Sequence, residues 1–154
     1  MVDYYGLPGG WPGRRQSTAF STTAEKANFV QTALHENIAA EMGTRFNSKR
    51  FVPFILMHEF EGLLFSDCAA FSRGIYQPEL EVPFQSIRGQ FSSPEGINDS
   101  PETAPSKRIV ALLPGYQKPL LGTLAAIEIG LDRIRSECPL FDSWLRQLEG
   151  IPVE

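Results

Sequence analysis

The sequence predicts an α/β fold, with the remnant of a small parallel sheet near the amino-terminal end followed by a mainly helical C-terminal half. Three observations predict it. Phe51 to Met57 is one continuous apolar run, the pattern of a strand covered on both faces. Thr22 and Glu25 form a capping box ahead of Ala27, Val30, Leu34 and Ile38, which recur at helical spacing. From Pro105 onward, apolar residues keep a helical period through several segments punctuated by Pro and Gly.

Taken in order, residues 4–21 hold Gly6, Gly9, Gly10 and Gly13 with Pro8 and Pro12, and this density of breakers predicts a long surface loop carrying Trp11, Arg14 and Arg15. A helix is expected from about Ala24 to Met42, with Gly43 near its end. In the apolar run that follows, Pro53 can donate no ladder hydrogen bond, which demotes the first half of the strand towards an edge. Glu59 to Phe65 suits a short helix whose first turn carries two acids, as the helix dipole favours, and Asp67 to Phe71 begins another. Between Arg73 and Thr103, Pro78, Pro83, Pro94 and Pro101 interrupt the periodicity, and a mobile segment is expected. Helices then run from Ser106 to Leu113, with Pro105 in the first turn and Pro114-Gly115 as the stop, from Lys118 to Ile129, from Leu131 to Glu137, and from Pro139 to Leu148. The last presents Phe141, Trp144 and Leu148 as a core or subunit contact. On this reading residues 1–72 form an α/β portion and residues 73–154 a loop-rich, then helical, extension packed on it.

Composition narrows the function classes. With 14 Lys and Arg against 18 Asp and Glu, the net charge of −4 offers no global attraction to nucleic acid or to an anionic membrane, so any phosphate-binding surface must be local. Cys68 and Cys138 lack zinc-site spacing and any disulfide framework, and no stretch approaches the ~20 apolar residues that a bilayer requires. A cytoplasmic protein with no membrane partner is expected. P-loop, dinucleotide-binding and nucleophile-elbow motifs are missing from the sequence.

Two groups of acids stand out. Asp3 follows directly on Val2 and precedes a glycine-rich turn; it is a candidate Mg²⁺ ligand or a turn-forming aspartate bonded to nearby amides. The run His58-Glu59-Phe60-Glu61 is not a zinc-protease motif, because position 62 is Gly. If a regular helix begins near Glu59, the two glutamates point roughly 200° apart and cannot face one ion without irregular backbone, whereas His58 and Glu61 share a face. These residues are helix-end acids beside a buried His, or else a metal ligand (Glu61) with proton-moving groups (His58, Glu59). Arg14 and Arg15 on the glycine-rich loop are either phosphate contacts or solvated charges. Lys107 and Arg108 open a helix, where positive charge opposes the dipole; they call for an anionic ligand or for Glu95 and Glu102 nearby.

Read as a set, Asp3 to Pro8, His58 to Asp67, Pro101 to Arg108, Pro114 to Lys118 and Cys138 to Leu145 resemble the bacterial domain-of-unknown-function family 4276. The family in turn resembles a divergent Toprim-type domain, similar to the nuclease halves of ATPase-linked phage-defence and restriction-associated pairs. That resemblance implies a Mg²⁺-dependent nucleic-acid phosphodiesterase working beside an AAA or ABC-type ATPase subunit, with Asp3 and Glu61 as metal ligands, His58 and Glu59 as catalytic groups, and Arg14, Arg15, Lys107 and Arg108 facing phosphate. It also implies a preceding βα region with a Glu-Gly-x-Thr-Glu-like motif that has no counterpart here. Met1 is therefore expected to correspond to an internal methionine of a longer protein, and the isolated chain to be weak or inactive. The rival expectation is a non-catalytic interaction module whose helical half docks a partner.

Overall fold

A computed structural model describes residues 1–98 and 103–152 of the chain. Its element order is β1 (Val2–Asp3), α1 (Thr23–Met42), β2 (Ile55–Leu56), α2 (Phe60–Leu64), α3 (Cys68–Gly74), α4 (Glu81–Arg88), α5 (Pro105–Leu112), α6 (Lys118–Ile129), α7 (Leu131–Glu137) and α8 (Pro139–Glu149), with 3-10 turns between some of them. This is an α/β chain with a two-stranded parallel sheet and a helical C-terminal half. Among the described residues no helix is long and apolar enough to cross a membrane. The chain forms two compact units, residues 1–57 with 140–154, and residues 58–139. This division differs from the break near residue 72 read from the sequence, because α3 packs against α6 and α8 carries its aromatic face back to residues just before β2.

In the first unit β1 and β2 pair in parallel, Val2 opposite Ile55 and Asp3 opposite Leu56, with Tyr4 N–H donating to Leu56 O at 2.8 Å. The strand is shorter than the apolar run suggests. Pairing is confined to Ile55 and Leu56, the residues opposite Val2 and Asp3; Phe54 O faces β1, so the donor that Pro53 lacks would lie on the outer flank, where the Ile55 N–H donates at 2.9 Å to the Gln31 side chain of α1. The predicted capping box holds: the Thr22 side chain accepts from Glu25 N–H, and the Glu25 carboxylate accepts from Thr22 N–H. Ala27 and Val30 of α1 join Tyr4, Leu7, Ile55 and Met57 in one buried cluster, flanked by Val2 and Trp11. The glycine-rich loop is not wholly irregular, since it contains a 3-10 turn at Gln16–Ala19. Gly13 in that loop has φ +74, and a Cβ there would lie 2.8 Å from Ala33 Cβ, so the loop can lie down on α1 only with glycine at this point. Trp144 of α8 stacks on Phe54 at 5.0 Å and donates from Nε1 to Val52 O at 3.0 Å, which makes the predicted aromatic stripe a contact inside this unit.

The second unit is built on Phe65, Phe71 and Phe84, all fully buried, with Phe71 and Phe84 stacked at 4.3 Å. Phe84 belongs to α4, inside the stretch expected to be mobile. Three of its prolines do not dissolve structure: Pro78 and Pro94 open 3-10 turns, and Pro83 sits in the first turn of α4, where its missing N–H costs no helix bond, while Pro101 lies outside the described residues. Cys138 is buried and shares a 3.3 Å hydrogen bond with Ser66, and burial pushes its thiol up to about 12. Helices α3 and α6 cross closely at Gly74, where a Cβ would stand 2.8 Å from Ala125 Cα and 3.1 Å from Leu124 O.

This last contact yields a stability prediction. Gly74→Ala should destabilise the protein by about 1–3 kcal/mol, because backbone atoms and not a flexible side chain must yield. Gly96→Ala, whose Cβ would meet open space, should be near neutral. Urea unfolding of both variants makes the comparison, and equal midpoints would refute the close crossing.

Candidate functional site

The second unit gathers most of the chemistry-bearing residues. Glu59 is the residue that precedes α2, with extended backbone (φ −143, ψ 158), and Glu61 lies in the first turn. The extended step takes Glu59 out of the helical period, so the roughly 200° separation expected for a regular helix does not apply. Both carboxylates reach one ammonium: Lys118 Nζ is 3.3 Å from Glu59 Oε1 and 3.7 Å from Glu61 Oε2. The other oxygen of Glu59 accepts a 2.8 Å hydrogen bond from Ser106 N–H in the first turn of α5. Helix α5 has no capping side chain of its own, since Ala104 precedes it. Glu59 therefore supplies from a distant part of the sequence the acceptor that an orphan N–H of that helix needs.

Burial sets the electrostatics. The Glu61 side chain is only 6% exposed, against 48% for Lys118. A carboxylate this deep requires a counter-charge, and Lys118 provides it. Burial pushes the Glu59 carboxyl upward, but the hydrogen bonds from Ser106 and the charge of Lys118 outweigh it and leave the group below the usual carboxylate range. Glu59 is thus an anion at neutral pH and a weak base. Tyr116 lies close by. Its hydroxyl is buried and has no hydrogen-bond partner among the described residues, and its ionisation is pushed up by burial and then by the charges of Glu61 and Glu59. The floor under it is Gly122, where a Cβ would come within 3.1 Å of the hydroxyl oxygen. His58, also buried, directly precedes Glu59.

The remaining candidates are distributed differently. Lys107 is exposed on α5, one residue after Ser106. Arg108 donates from Nε to Thr103 O at 2.8 Å and lies 5.3 Å from the centre of the Phe91 ring. Of the acids expected beside that pair, Glu95 is buried and Glu102 lies outside the described residues. Asp3 is exposed at the end of β1 in the first unit, and its carbonyl accepts from Gly6 N–H at 3.1 Å. Arg14 is committed locally: its guanidinium sits 4.0 Å from the centre of the Tyr4 ring and donates to Tyr4 Oη, which is also bonded to Ser17. Arg15 is exposed.

The sequence places Tyr116 and Lys118 in a tight loop beside Ser106 to Arg108 but gives Lys118 no role at the two glutamates. The signal was available, because Lys118 begins α6 and a cation at a helix start opposes the dipole as Lys107 and Arg108 do. Applied at position 118, the same argument calls for the anionic partner that Glu59 and Glu61 supply.

The match to known families fits the motif blocks that build this site. A family model described as Domain of unknown function (DUF4276) covers residues 1–149. The chain belongs to that family. No curated protein and no solved structure matches this DUF4276 member. Among its described residues, no three His, Cys, Asp or Glu side chains come together as a metal-binding group. A pair of carboxylates is nevertheless the kind of donor set Mg²⁺ uses, since that ion keeps several waters and takes one or two protein carboxylates.

The depressed Glu59 carboxyl gives a pH prediction. Its contribution to stability is fully present above the ordinary value of 4.5 and is lost as pH falls through the lower folded-state value. Glu59→Gln should lower stability at neutral pH and flatten the loss between pH ~5 and ~3, as measured by thermal unfolding across that range. An acid limb as steep as that of the unsubstituted chain would remove Glu59 from the account.

Proposed function

We propose that this chain is a Toprim-like, Mg²⁺-dependent nucleic-acid phosphodiesterase component of a cytoplasmic defence or restriction-associated system, acting beside an AAA or ABC-type ATPase subunit. The observation that carries the reading is the convergence of Glu59 and Glu61 on a single cationic atom, with Glu61 almost wholly buried. Two carboxylates held together at a cost in desolvation are better explained by cation binding than by helix-end electrostatics, which one exposed acid would satisfy. In this reading Glu61 and Glu59 hold Mg²⁺, which when bound polarises a phosphodiester and makes water a better nucleophile. The low carboxyl value of Glu59 suits a ligand better than a proton acceptor, so the proton falls to His58. Lys107, exposed beside the Ser106 amide that holds Glu59, is the best placed of the proposed phosphate contacts. Arg108, already held by Thr103 O, serves second, and Arg14 and Arg15 enter from the resemblance alone, as does Asp3 in its role as a further ligand.

A second reading, a non-catalytic module that docks an ATPase subunit, has its own support. Tyr76 follows α3 with φ 59, a conformation that costs a non-glycine residue of order 1 kcal/mol, yet the residue is 75% exposed. Ile127, 72% exposed, lines the same surface depression as Tyr76 and Leu124. An apolar pair displayed at such a cost suits a partner surface.

The readings separate in one assay. Cleavage of end-labelled single- and double-stranded DNA and RNA should depend on Mg²⁺ and fall at least ~100-fold in Glu61→Gln and in Asp3→Asn, with near-native circular dichroism. The same substitutions belong in a second member of the family too. Undiminished cleavage by both variants there removes these acids from the chemistry. Loss of ATPase capture on Tyr76→Ser with Ile127→Ser, without any cleavage by any form, selects the docking module.

A further inference from the structure

Lys118 sits badly where it is. It is the first residue of α6, where the helix dipole opposes its charge, and its side chain is 48% exposed, so its ammonium can swing into water with little loss. The carboxylates cannot follow. Glu61 is 6% exposed, and Glu59 is tied to Ser106 N–H at 2.8 Å. Were the ammonium to leave, both carboxylates would lose a shared counter-charge in a largely dehydrated setting, which favours replacement by another cation.

Tyr116 adds an independent observation. It is 8% exposed and its hydroxyl has no hydrogen-bond partner among the described residues, although it lies close enough to both acids to feel their charges. A buried hydroxyl left unmatched costs about 1–3 kcal/mol in general, and such groups ordinarily face a water, an ion or a ligand. Lys118 does not answer this hydroxyl. A hydrated divalent ion would, because its bound waters donate to nearby oxygens.

We infer that Glu59 and Glu61 form the seat of a divalent cation for which the Lys118 ammonium is the resident competitor, displaced when the ion binds, while Tyr116 Oη accepts a hydrogen bond from one of the ion's waters. The inference rests on the Mg²⁺ reading above and adds the regulation of that site. Metal affinity is held down by Lys118, and an anion that draws the ammonium outward, such as a nucleic-acid phosphate, raises it. By linkage the metal then raises affinity for that phosphate by the same factor. Lys118 is thus a positioning residue that couples substrate to metal.

Mn²⁺ binding to the full chain, read from the electron paramagnetic resonance signal of the free ion, tests this without reference to cleavage. Lys118→Met should tighten Mn²⁺ binding by roughly tenfold, the order expected from removing two half-exposed ion pairs. Lys118→Arg, which keeps the charge, should stay near the unsubstituted affinity. Adding Glu61→Gln to Lys118→Met should abolish the gain, and adding Tyr116→Phe should weaken binding several-fold. A measurement on the unsubstituted chain covers the case in which Lys118→Met misfolds: Mn²⁺ should increase acylation of Lys118, mapped by mass spectrometry, as the ammonium enters solvent. Equal Mn²⁺ affinity for Lys118→Met and the unsubstituted chain, or Lys118 acylation indifferent to Mn²⁺, overturns the inference even if Mg²⁺-dependent cleavage persists. Tightened binding with no cleavage of any nucleic acid supports the inference and removes the nuclease reading instead.

Discussion

A carboxylate that has been taken out of water must be neutralised, and in the second unit that requirement falls on Glu61. Its counter-charge comes from Lys118, which is far along the sequence but begins the helix that packs on α2. The same lysine holds Glu59, and Glu59 in turn satisfies the first turn of α5. Three helix starts, those of α2, α5 and α6, are thereby gathered around two acids. Their N-termini bring partial positive charge to the place where negative charge is buried, so backbone and side chain solve one electrostatic problem together. Removing only the lysine takes a shared counter-charge from both carboxylates, which favours capture of another cation.

The close packing around this group is as demanding as its charge balance. Gly62 of α2 would place a Cβ 3.2 Å from Pro94 O, and Gly122 of α6 would place one 3.1 Å from the Tyr116 hydroxyl. Small residues therefore let α2 lie against the backbone at Pro94 and α6 against the Tyr116 side chain, and the Phe65, Phe71 and Phe84 cluster packs beside α2. Rigid elements supporting a polar cluster are what a binding or catalytic constellation needs, since loose support degrades both geometry and affinity.

Much of the fold could be read from the chain alone where local chemistry decides the outcome. The capping box at Thr22 and Glu25, the paired proline and glycine stops after α5, and the apolar period of α6 and α7 each specify an element without tertiary help. What could not be read depended on partners distant in sequence. Phe84 orders its proline-rich neighbourhood by packing on Phe65 and Phe71, and β2 is only as long as its pairing with Val2 and Asp3. At the site, the chemical types at His58, Glu59 and Glu61 were visible, but their convergence was not, because a helical period was assumed at a residue whose backbone is extended. The contact of Arg14 with Tyr4 was likewise not legible, since loop composition alone says nothing of which ring a cation lies on.

The Gln31 amide that accepts from Ile55 N–H has a reach beyond its own hydrogen bond. Residues Phe54 and Leu56 turn their carbonyls towards β1, so the Ile55 N–H points to the opposite flank of the strand, where a neighbouring molecule's strand would otherwise register. With a helix side chain seated on that donor, recruitment of β2 into an intermolecular cross-β stack has to begin by breaking an intramolecular bond. The donor on the outer flank of β2 is thus guarded by one glutamine.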